Sequence, residues 1–115
     1  MKRSSRLTRS EDIKRVRQDG LSSAHKAIVV GFLSNNLEKN RIAVIAGRSV
    51  GGAVQRNLAK RRIRSAFQGF QDNMHNGFDI VIIARKPILE IEYQSLVVAL
   101  QSLLDRAGLM KDKVN

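Results

Sequence analysis

The sequence predicts a single α+β domain in which a small sheet is covered by amphipathic helices. Three observations predict it. Runs rich in β-branched residues, AIVVGFL at 27–33, RIAVIAG at 41–47 and FDIVIIA at 78–84, have strand length and are bounded by turn residues. After Gly51 and Gly52 the apolar spacing lengthens to that of a helix, over residues 53 to about 69. It does so again from about Glu92 to Ala107, where Leu96, Leu100, Leu103, Leu104 and Ala107 recur at helical spacing.

The elements follow in order. Ser10 before Glu11 and Asp12 reads as a helix start, with acids in the first turn where the helix dipole favours them. Ile13 and Val16 give this short helix an apolar side, and Gly20 ends it. The first strand candidate runs to Leu33, and SNNLEKN forms a polar turn into the second. The central helix follows the paired glycines, whose simplest role is a tight turn with a tolerable cap. Asn76 and Gly77 turn the chain into the third strand, Pro87 ends that strand, and the leucine-rich helix then packs on the sheet. The basic N-terminus and the C-terminal tail KDKVN are read as flexible.

At 115 residues the chain is one domain, long enough to bury roughly two thirds of its unfolded surface. Aromatics make up only 4% of it, so the core is aliphatic and extensive base stacking is not expected. The absence of cysteine excludes disulfides, thiolate zinc sites and thiol catalysis. No apolar run has the length of a membrane span, and the N-terminus lacks the apolar segment of a signal peptide, so a soluble cytoplasmic protein is expected.

A net charge of +11 points to a polyanionic partner, and its distribution narrows the location. Residues 1–26 carry eight Lys or Arg against three acids, and residues 39–71 carry eight against none. From Asp72 onward the chain is nearly neutral. On a helical projection with Ala59 as origin, Ile63, Ala66, Phe67 and Phe70 fall within about 80° and form the core side. Asn57, Lys60, Arg61 and Arg64 fall on an arc roughly 100–200° away, with Arg62 to one side. A solvated helix face usually mixes signs, whereas this one has cations that repel one another by a few tenths of a kcal/mol per pair. One-sided charge dominated by arginine suits bidentate binding of phosphate.

The stretch GRSVGGAVQRNLAKRRIRSAF, residues 47–67, resembles the signature of the protein subunit of bacterial ribonuclease P, a glycine turn leading into an RNR-x-x-KR-x-x-R helix. RLTRSEDIKRVRQDG resembles that family's first helix, and GFDIVIIARKP with the leucine helix ending in AGL resembles its C-terminal part. The resemblance implies an α/β sandwich of order α-β-β-β-α-β-α, one strand more than the spacing resolves, with a left-handed β-α-β crossover around the basic helix. It also implies a small protein that binds a catalytic RNA and assists removal of the 5′ leader from precursor tRNA. The RNA would carry the chemistry, the protein would have no catalytic residue or metal of its own, and Mg2+ would belong to the ribonucleoprotein. No membrane or protein partner is implied.

Carried over position by position, Arg48, Arg56, Asn57, Lys60, Arg61 and Arg64 match the family's RNA-binding motif. Leu58 departs from it, standing where an arginine is usual, and Arg62 is expected to substitute in part. The family's leader cleft carries aromatics on the first helix and first strand, and the corresponding positions here are Ile13, Arg17 and Gly31, with Phe32 adjacent. Ile13, Arg17 and Phe32 are therefore the expected leader contacts, and electrostatic recognition is expected to replace stacking. The alternatives are a ribosomal or generic RNA-binding protein and an interaction module built on the leucine helix. His25 and His75 read as loop residues without a paired nucleophile, and Arg85 and Lys86 read equally as RNA contacts or a solvated strand end.

Overall fold

A computed structural model describes residues 5–111. The chain forms α1 (Ser10–Asp19), β1 (Leu21–Ala24), β2 (Ile28–Ser34), β3 (Arg41–Ala46), α2 (Ala53–Gln68), β4 (Phe78–Ala84) and α3 (Tyr93–Arg106), with single 3-10 turns at Gln71–Asn73 and Lys86–Leu89. The sheet order is β1-β2-β4-β3, antiparallel except for the β3–β4 pair, which is parallel and crosses over through α2.

The additional strand is β1. LSSA has no apolar alternation to betray it, and its residues are largely exposed. It is a strand because the turn at His25 folds it back onto β2: the His25 amide donates to the Ile28 carbonyl (2.8 Å), and the Ala27 amide donates to His25 Nδ1 (3.1 Å). Gly20, between α1 and β1, is required by close approach. A Cβ there would lie 2.5 Å from the carbonyl oxygens of both Phe32 and Val16.

The strand period of two divides the sheet into two faces. On one, Ile28, Val30, Ile42, Val44, Ile80 and Ile82 form the main core with α2 and α3. Ala59, Ile63, Ala66 and Phe67 supply the α2 side of it, as the helical projection requires, and Leu96, Leu100, Leu103 and Leu104 supply the α3 side. On the other face a smaller cluster of Leu7, Val16, Ala43 and Val81 lies beneath α1. The helix α1 packs mainly over β2 and β4, and beside it part of this face stays open as a groove.

The first and last turns of chain are firmer than the sequence suggests where they are described. The Leu7 amide donates to the Ile42 carbonyl (2.8 Å), and Arg6 forms a parallel bridge with Ile42. At the other end the Lys111 amide donates to the Asn73 carbonyl (2.7 Å). The remaining residues expected to be flexible, 1–4 and 112–115, lie outside the described residues.

Candidate nucleic-acid interface

Helix α2 presents its apolar side to β3 and α3, which leaves the opposite side outermost. There Asn57, Lys60, Arg61 and Arg64 line one concavity of about 420 Å3, together with Ser65 and Gln68. The four residues placed on one arc by the sequence are thus brought together. No carboxylate lines the concavity, and among the described residues none forms a salt bridge with any of its cations. Burial lowers the pKa of Arg64, and the positive charge of Arg6 lowers it further. Repulsion of this kind is relieved when an anion arrives.

The start of α2 is shaped by the glycine turn. Gly51 has φ of +145°, and a Cβ on it would meet Gln55 Cβ at 2.8 Å, so a side chain is excluded on both counts. Gly52 caps the helix without a side-chain hydrogen bond, and the first turn has no acid. Arg48 is exposed in the turn before Gly51, and Arg56 is half-buried in the first helical turn. Neither lines the concavity, so these two cations flank it from the N-terminal end of the helix.

Arg62 does not belong to this face. Its Nη1 donates to the Ile88 carbonyl and its Nη2 to the Ile91 carbonyl, both at 2.8 Å, so the guanidinium is a clamp between α2 and the segment after Pro87. The expected substitution for the missing arginine at position 58 is therefore not made by this side chain. Leu58 itself is 45% exposed, one turn after Val54, which is 76% exposed. The Leu58→Arg change adds a cation beside Arg61 at no cost to the core. It is expected to raise affinity for RNA by about two- to fivefold, the worth of one exposed ionic contact; filter binding at fixed salt measures it, and unchanged or weaker binding contradicts the assignment of this face.

A second site lies on the other side of the sheet. Ser22, Gly31 and Val81 are aligned across β1, β2 and β4, as are Val29 and Ile83 across β2 and β4. With Val16, Arg17 and Gly20 they enclose a groove of about 140 Å3. Arg17 is at its edge, and Ile13 packs against the apolar cluster beneath α1. Gly31 leaves open space in the groove, since a Cβ there would make only ordinary contacts of 3.7–3.8 Å. Phe32 is not part of this groove. Its ring packs against the main core on the opposite face, edge-to-face with Phe78 at a centroid distance of 6.2 Å. The parity of the strand already carried this information: Phe32 is in phase with the buried Ile28 and Val30, and Gly31 is not.

The polar end of the same face holds a network that sequence spacing did not indicate. Asp79, 1% exposed, accepts bonds from Arg41 Nε (2.8 Å) and Nη2 (2.7 Å) and from Asn35 Nδ2 (3.0 Å), with Arg15 at 3.5 Å. Asp12, on α1, pairs with Arg15 (3.3 Å) and Arg41 (3.6 Å). Burial alone would push the Asp79 carboxyl up, but the bonds from Arg41 and Asn35 and the charges of Arg41 and Arg15 hold it below its ordinary value. The network fastens the N-terminal end of α1 to β3 and β4, while the groove opens towards its C-terminal end. Of the other residues singled out from the sequence, His25 serves the β1–β2 turn through its ring, the His75 amide donates to the Leu109 carbonyl (2.8 Å), Arg85 Nη1 donates to the His25 carbonyl (3.1 Å), and Lys86 is exposed.

A family model described as Ribonuclease P matches residues 1–108. The chain is 35% identical over 114 residues to a Ribonuclease P protein component of Bacillus cereus, covering 98% of this chain and 99% of that one. It is 30% identical over 108 residues to the Ribonuclease P protein component of Caldanaerobacter subterraneus subsp. tengcongensis, covering 94% and 93%. Among solved structures, the RNase P protein of Staphylococcus aureus superposes with a TM-score of 0.84 at 27% identity, covering 93% of this chain and 98% of that one. The RNase P protein of Thermotoga maritima does so with a TM-score of 0.79 at 30% identity, covering 88% and 96%.

Proposed function

This chain belongs to the ribonuclease P protein family, and from that premise we propose that the cationic face of α2 docks on the catalytic RNA while the groove beneath α1 receives the 5′ leader of precursor tRNA. The function is that of the protein component of ribonuclease P, acting with the RNA subunit in 5′ leader processing. The observation that carries the docking surface is the convergence of Asn57, Lys60, Arg61 and Arg64 on one concavity lined by no carboxylate. Guanidinium groups match phosphate oxygens in pairs, and binding releases the condensed counterions of the RNA. A generic or ribosomal RNA-binding role has no need of the whole-chain match.

The chemistry is assigned to the RNA and its magnesium ions. Among the described residues no group of three or more His, Asp or Glu is placed to hold a metal. Asp12 and Asp79, which share arginine partners, are engaged by Arg15 and Arg41. The protein's contribution is binding: its cations screen phosphate repulsion between the catalytic RNA and its substrate. Purified protein added to the catalytic RNA and precursor tRNA at low magnesium is expected to stimulate leader release, and a folded protein that gives no stimulation rejects the reading.

The groove lacks an aromatic ring, so the leader is held by Arg17 and by apolar contact with Val29, Val81 and Ile83. Affinity for the leader, measured as the difference between precursor and mature tRNA binding to the holoenzyme, is expected to fall steeply as salt rises. A flat salt response would remove the electrostatic account of leader recognition.

A further inference from the structure

A second cation, supplied from a different part of the chain, stands against the C-terminal half of α2. The parallel bridge between Arg6 and Ile42, with the 2.8 Å bond from the Leu7 amide to the Ile42 carbonyl, fixes this short segment along the free edge of β3. Side chains alternate along extended backbone. Leu7 is buried in the cluster on the α1 side of the sheet, which turns Arg6 towards the α2 side. Ser5 lines a concavity of about 240 Å3 with Phe67 and Gln71, so the segment runs beside the last turns of α2, where Arg64 and Gln68 emerge.

Neither Arg6 nor Arg64 has a carboxylate partner or donates a side-chain hydrogen bond among the described residues. Arg6 is exposed, and Arg64 is half-buried and lines the α2 concavity. Arg6 is paired with Ile42, whose side chain faces the α2 core. Two guanidinium groups on separate elements, neither engaged by a carboxylate among the described residues, thus stand on the same side of the sheet, an arrangement suited to an anion. The lowering of the Arg64 pKa by burial and by the charge of Arg6 agrees with this crowding.

We propose that Arg6 and Arg64 form a two-arginine clamp for a single phosphate of the RNA backbone, which extends the docking surface from α2 onto the segment paired with the edge of β3. The clamp rests on the reading that α2 docks on the catalytic RNA. It joins one cation of the chain's first basic block, Arg6, to the central block although the two are far apart in sequence.

The test is a salt titration of binding between the full-length protein and the ribonuclease P RNA, with the variants Arg6→Gln, Arg64→Gln, their combination, and Arg9→Gln as a control. Arg9 is exposed at the start of α1, which packs on the opposite face of the sheet. Arg6→Gln and Arg64→Gln are each expected to weaken binding about tenfold and to reduce the slope of log affinity against log salt by roughly 0.7–0.9, the value of one phosphate contact. Because the two share one phosphate, the combined variant is expected to lose little more than either alone. Losses that multiply would place the arginines on separate phosphates and overturn the clamp. A loss for Arg9→Gln equal to that for Arg6→Gln would overturn it too, since bulk charge would then suffice. A wild-type slope for Arg6→Gln, with the wild-type protein binding normally, refutes the clamp alone; failure of the folded wild-type protein to bind the RNA refutes the docking reading on which it rests.

Discussion

Asp79→Ala is expected to lower the free energy of unfolding by about 3 kcal/mol, because it leaves Arg41 without its bidentate partner and strips Asn35 and Arg15 of a shared acceptor. The value lies at the low end for a broken buried ion pair, since the side chains of Arg41 and Arg15 are 22% and 48% exposed and retain access to water. A fall in the thermal midpoint of roughly 10 °C or more follows for a domain of this size. The carboxyl of Asp79 has a lower pKa folded than unfolded, so its stabilisation is complete above the unfolded value, near 3.8, and is lost as pH falls through the folded value. Denaturant melts of the wild-type protein should therefore lose stability below about pH 4. The Ala variant should show a flatter acid limb, and equal acid dependence in the two proteins would remove Asp79 from the account. The cationic face of α2 proposed to dock on RNA lies on the opposite side of the sheet, so RNA affinity at a permissive temperature should be retained.

Arg61→Ala combined with Arg64→Ala has the converse signature. Two of the cations lining the α2 concavity are removed while Ala59, Ile63, Ala66 and Phe67 keep the core intact. Affinity for the catalytic RNA is expected to fall by about a hundredfold, with the salt slope reduced by roughly 1.4–1.8, the value of two phosphate contacts. Stability should be unchanged or slightly higher, because two mutually repelling charges are gone and neither belongs to a salt bridge among the described residues. Binding isotherms and a thermal melt on the same preparation separate the two quantities. Loss of both together would mean that Arg64 contributes more to packing than its half-buried position suggests.

Much of this was legible because the signals are local. The helical projection of residues 53–70 needs only the turn angle of an α-helix, and it separated the core residues from the four that line the concavity. The strands β2, β3 and β4 carry enough Ile and Val to reveal themselves, whereas β1 is defined only by its ladder with β2 and has no composition to show it. Partnerships across long stretches of chain were invisible for the same reason. Asp79 and Asp12 both meet Arg41 only once β3, β4 and α1 are assembled. Arg62 reads as one more cation until the carbonyls of Ile88 and Ile91 arrive beneath it. The assignment of Phe32 to the groove was the avoidable error, since the alternation of β2 excludes it.

The uncovered groove and the cationic helix stand on opposite faces of one sheet, and under the proposed assignment that sidedness makes the protein a gauge. Each layer of the stack is about 10 Å thick. A leader lying in the groove is therefore held at a fixed stand-off from the RNA gripped by α2, with an aliphatic slab between the two backbones. Docking on one face would decide where the other face points, so the position of the precursor's 5′ end relative to the catalytic RNA would be set by the thickness and orientation of a rigid body.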